Sequence, residues 1–183
     1  MIKQFNALKE IKKYYDKESN TYIFKEDGDY IDLVVFNFNL NLETKDIKAK
    51  NINAMDINAR EIYAENINSK RLMALNIKAL NIDAWDIDAK GIEANDINCI
   101  ANIQSHTISA SNIDARNIMA TNIIAKNINA ENILADYIYA ENIYYYTVCV
   151  SYTKIKCKSI QGSRKNSKHF VLDGTLEIDK NVN

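Results

Sequence analysis

The chain has 183 residues, of which 47% are hydrophobic and 26% charged, so it can bury a sizeable core and has an ordinary soluble balance. Its formal charge of −1 is unevenly spread: residues 51–150 carry seven basic and twelve acidic side chains, and residues 151–183 carry seven and three. No apolar run approaches a membrane span, and the N-terminus lacks the long apolar segment of a signal peptide. Three cysteines without framework spacing read as free thiols, so the expected location is cytoplasmic.

Residues 1–17 place Phe5, Leu8, Ile11 and Tyr15 at helical spacing, which predicts an amphipathic helix. A hairpin is expected around Asp27-Gly28. Val34, Phe36, Phe38, Leu40 and Leu42 then alternate as a strand that leads into a long repeat. Residues 1–40 are read as an N-terminal cap, residues 41–150 as the repeat, and residues 151–183 as its irregular end and C-terminal cap.

The repeat has a period of five. Large apolar residues recur from Leu42 and Ile47 to Ile97, skip one residue, and continue from Ile103 to Ile143 and Val148. Two places after each stands a small residue; of the 20 paired with Ile47 to Ile143, sixteen are Ala. Five steps of roughly 100° would leave successive isoleucines about 140° apart on a helix. In a continuous strand, an odd period would point them to alternate faces. The chain must therefore turn once per unit. Each unit reads as an extended Ile-x-Ala with both side chains inward, then a corner. The residue before the isoleucine is Asn at eleven of 20 positions and Asp at four, types that tolerate left-handed angles or tie turns.

This pattern over roughly residues 40–150 resembles the pentapeptide-repeat family. The resemblance implies an all-β fold, a right-handed quadrilateral β-helix. In the usual family motif the small residue precedes the large one by two. Here that slot holds Lys50, Arg60, Glu65 and Lys90, so the inward pair is Ile followed by Ala, with large and small exchanged. Four units per coil would give about five coils and a rod of about 25 Å. The extra residue at Cys99-Ile100-Ala101 would bulge one corner. Phe170, Leu172, Leu176 and Ile178 read as a closing hairpin. The segment "CKSIQGSRKNSKHFVLDG" is similar to tails of phage-encoded repeat proteins of low-GC bacteria.

A 20-residue coil would stack Lys50, Lys70 and Lys90 into one anion-facing column, extended by Lys154, Lys156, Lys158, Arg164, Lys165 and Lys168. The acidic Asp83, Asp86, Asp88, Glu93 and Asp96, with the outward Met55, Leu75, Leu80 and Trp85, form the candidate partner surface. Leu134, Tyr137, Tyr139, Tyr144 and Tyr146 form the candidate homodimer surface. Cys99 and Cys157 fall in small core slots, and Cys149 is placed outward. No residues present a catalytic, metal or cofactor pattern. Some pentapeptide-repeat proteins imitate a DNA duplex and block enzymes such as DNA gyrase. The resemblance thus implies a non-enzymatic inhibitor of a nucleic-acid-handling or phage-defence enzyme. The alternatives are nucleic-acid binding through the lysines, or a self-assembling scaffold.

Overall fold

The computed structural model describes residues 2–26, 29–37, 40–42 and 45–179, the side chain of Met55 excepted. Within them the chain winds as a β-solenoid of about eight turns. Neighbouring coils pair in parallel. Asn51 lies beside Asn66 and Asn66 beside Asn81, and Ile52, Ile67 and Ile82 share one column. The step between coils is therefore 15 residues, or three units. This corrects the expected four-sided coil of 20 residues to a three-sided one. Each coil turns three large and three small side chains inward. A four-sided coil would enclose a wider square that isoleucine and alanine leave unfilled, whereas protein interiors close-pack. At about 4.8 Å per rung, eight turns make a rod of roughly 38 Å.

The exchanged inward pair is observed. Ile52, Ile57 and Ile62 are buried in one coil and Ile128, Ile133 and Ile138 in a later one, with Ala54, Ala59, Ala130 and Ala135 buried beside them. We name the three sides by these columns: the first begins at Ile52, the second at Ile57 and the third at Ile62.

The residues before the isoleucines do not use left-handed backbone. Among the described residues, Asn20 is the one non-glycine at positive φ, 55°. The asparagines instead stack into ladders. Asn127 donates to Asn112 at 2.7 Å and Asn142 to Asn127 at 2.8 Å before the first face. Asn117 donates to Asn102 at 2.8 Å and Asn132 to Asn117 at 2.7 Å before the second. A primary amide both donates and accepts, so a column of them satisfies itself at the spacing of the rungs.

Three units have six residues rather than five. One is the expected insertion between Ile97 and Ile103. The other two lie between Ile143 and Cys149 and between Cys149 and Ile155. They shift the phase: Cys149 and Ser151, both 0% exposed, take the inward slots, and Val148 turns outward and is half-buried. The outward placement of Cys149 and the inward one of Val148 are both corrected.

The N-terminal end is plugged. Ile2–Phe5 is a strand paired in parallel with Leu33–Phe36, which itself pairs with the coil above through Val34 and Ile52. The solenoid thus begins within the segment read as cap. The helix is a shorter 3-10 helix, Leu8–Tyr14, with Ile11 and Tyr14 buried; Phe5 belongs to the strand and Leu8 is exposed. Phe5, Tyr14, Phe24 and Phe36 pack ring against ring at 5.1–5.8 Å. Lys25–Glu26 and Asp29–Tyr30 pair antiparallel around the expected turn; Asp27-Gly28 itself and Phe38 lie outside the described residues.

The other end is not a hairpin. Ser159–Gly162, Lys168–Val171 and Thr175–Ile178 each pair in parallel with the coil beneath, forming one more coil. Gly174 permits its last corner: a Cβ there would come within 1.8 Å of the Thr153 carbonyl oxygen.

Candidate functional site

The 15-residue step redistributes the surface residues. Lys50, Lys70 and Lys90, 20 apart, fall on three different corners, so the lysine column is corrected. Lys50 pairs with Asp32 at 3.1 Å, and Lys70 lies 6.0 Å from the Trp85 ring centroid. In the C-terminal basic cluster, Lys154 pairs with Glu177 at 2.6 Å, Lys158 with Glu141 at 3.4 Å and Lys156 with Asp179 at 3.8 Å. Arg164 stacks 3.6 Å from the Tyr146 ring centroid. Lys165 and Lys168 are exposed.

The acidic residues are also dispersed. Asp83 stands on the first face, Asp88 on the second and Glu93 on the third, while Asp86 and Asp96 sit in the ladders. Asn102 donates to Asp86 at 2.9 Å, Asn112 donates to Asp96 at 2.6 Å, and Lys78 pairs with Glu93 at 3.1 Å. Leu75, Leu80 and Trp85 are each about half exposed, on three separate corners. Met55 has its side chain outside the described residues.

The tyrosine set encircles the rod rather than forming one patch. Tyr144 is on the first face, Leu134 on the second, Tyr139 on the third and Tyr146 at the corner between first and second. Tyr137 is half-buried in the ladder before the third face.

What the fold does assemble is a stripe on the second face. Met119, Leu134, Val150 and Phe170 occupy successive rungs of one outward column, at 53%, 38%, half-buried and 45% exposure. Asn117, Asn132 and Val148 run beside it and, with Gln104 beneath, floor a shallow groove. From Asn102 to Val150 neither column of this face carries a charge. Charge lies at its edge, where Arg116 pairs with Glu131 at 3.1 Å. An apolar centre with a polar rim is the arrangement of a protein-binding patch. Sequence reading found Met119 and Leu134 as outward but missed Val148, Val150 and Phe170. The overlooked signal was Cys149-Val150-Ser151, which repeats inward–outward–inward one residue out of phase.

The upper core holds the buried reactive groups. Tyr145 occupies a small slot at 2% exposure, and its hydroxyl is hydrogen-bonded to Nδ1 of His169 at 2.9 Å. Cys149 and Ser151 leave room for that ring in the same coil. Burial pushes the Cys149 thiol up to about 12 and the Cys99 thiol up to about 11, and raises that of Cys157. Such thiols are poor nucleophiles at neutral pH. The Cys99 thiol also donates to the carbonyl oxygens of Trp85 at 3.1 Å and Asn102 at 3.2 Å. Among the described residues no three His, Cys, Asp or Glu side chains converge, and no helix is long and apolar enough to cross a membrane. No family model, curated protein or solved structure matches this chain.

Proposed function

We propose that this protein is a non-enzymatic binding protein that presents its second face to a protein partner. The observation that carries this reading is the uncharged apolar stripe of Met119, Leu134, Val150 and Phe170 on a rigid, flat sheet. A flat sheet of stacked coils offers a surface without ordering cost at the moment of binding. The narrower reading, an inhibitor of a nucleic-acid-handling or phage-defence enzyme, draws support from the tail resemblance and from the acidic excess of residues 51–150. All three sides share the carboxylates, so this reading rests on contact through the apolar face and not on imitation of a duplex.

The test is affinity capture with the whole chain, with and without nuclease, beside Leu134→Glu and the first-face variant Asn98→Ser. One protein held in stoichiometric amount by the wild type and by Asn98→Ser, and released by Leu134→Glu, would establish the second face. Recovery of nucleic acid alone, lost with nuclease and moderate salt, would overturn the reading in favour of the exposed Arg164, Lys165 and Lys168.

A further inference from the structure

We propose that the rod end carrying Leu176 and Ile178 is the seat of a head-to-head dimer, in which the last coils of two copies stack on one another. The first observation is the contrast between the two ends. At the N-terminal end, the Leu8–Tyr14 helix and the rings of Phe5, Tyr14 and Phe24 cover the core. At the other end, Leu176 and Ile178 lie in register over Ile155 and Cys157, which are 0% and 2% exposed. They therefore point along the core columns, yet they are 38% and 39% exposed. Their upper sides lack the neighbour that each isoleucine below receives from the next rung.

The second observation is the backbone. Lys168–Val171 and Thr175–Ile178 pair with the coil beneath. Among the described residues nothing pairs with their outer edge, which leaves alternate N–H and C=O groups facing off the end. An open parallel edge above an unfinished apolar core is a template for further strands.

The occupant must match a three-sided outline with extended backbone on each side. On this molecule only the same end of another copy does so. The opposite end carries an antiparallel pair, Tyr15–Asp16 with Thr21–Ile23, and the helix, so head-to-tail stacking is blocked. The contact is thus isologous and closes at two copies instead of growing into a fibre. A twofold axis across the junction makes the facing strands antiparallel, which their hydrogen-bond geometry accepts.

Light scattering and small-angle X-ray scattering on the whole 183-residue chain test this. The expected result is twice the single-chain mass of 20.9 kDa, with a maximum dimension close to twice that of the monomer. Leu176→Glu with Ile178→Glu should return the single-chain mass, while Leu134→Glu should leave the dimer intact. The wild-type scattering decides the matter even if the double variant folds poorly. A single-chain mass at all concentrations, a dimer no longer than the monomer, a series of higher oligomers, or a dimer indifferent to the double variant would each overturn the proposal.

Discussion

Arg71 grips Asp56, 15 residues earlier, through two parallel hydrogen bonds, Nε to Oδ1 at 3.1 Å and Nη2 to Oδ2 at 2.5 Å. The pair bridges two rungs before the second face and exists only because three units make a coil. Arg71 holds the Asp56 carboxyl below the usual carboxylate range. The arginine is 59% exposed, so the pair contributes modestly, on the order of 0.5–1 kcal/mol. We expect Arg71→Glu and Asp56→Arg each to lower the melting temperature and the exchanged double variant to recover most of the loss. Additive losses in thermal unfolding would contradict the register.

The ladder before the first face contains one conflict. Asn81 donates to Asn66 at 2.5 Å, which turns its carbonyl oxygen toward the carboxylate of Asp96, acceptor against acceptor. Turning the amide over moves the conflict down to Asn66. Asp96→Asn supplies the missing donor while still accepting from Asn112. A hydrogen bond gained is worth about 1 kcal/mol, or roughly 2–4 °C in a chain of this size. Calorimetry should show that rise. A fall would mean that the charge-assisted bond from Asn112 outweighs the completed column.

All three thiols should be protected in the folded protein. Cys99, Cys149 and Cys157 are 1%, 0% and 2% exposed, and burial disfavours their thiolates. A thiol reagent at pH 8 should react at the rate of unfolding, with three equivalents released together in denaturant. Rapid labelling of Cys149 under native conditions would contradict the phase shift that turns it inward.

Glu26 ties the N-terminal plug together. Lys3, Tyr14 and Lys13 all donate to its Oε1, the last two at 2.6 and 3.2 Å, and the Lys3 contact leads in lowering its pKa from 4.5 to about 2. Because the folded value lies below the unfolded one, this contribution is complete above about pH 4.5. It declines as the pH falls toward 2. Glu26→Gln should therefore be less stable than wild type at pH 7, with the gap closing between pH 4.5 and 2. A gap of constant size would place the effect elsewhere.

The sequence alone determined that the chain coils once per five residues, with isoleucine and alanine turned inward. That comes from backbone periodicity: neither a helix nor a strand can bury one face at this spacing. The number of sides was also written there, in a form easily missed. At a step of 15, Arg71 falls over Asp56, Lys78 beside Glu93 and Arg116 beside Glu131, whereas a step of 20 stacks Lys50, Lys70 and Lys90 against one another. What the tertiary structure alone decided is how the surface is grouped. Side chains adjacent in space are 15 to 21 residues apart, and each six-residue unit shifts every later column. Val148, Val150 and Phe170 join Met119 and Leu134 only after two such shifts have been counted. The exposed end at Leu176 and Ile178 has the same origin, because whether an inward side chain is covered depends on a rung the local pattern does not contain.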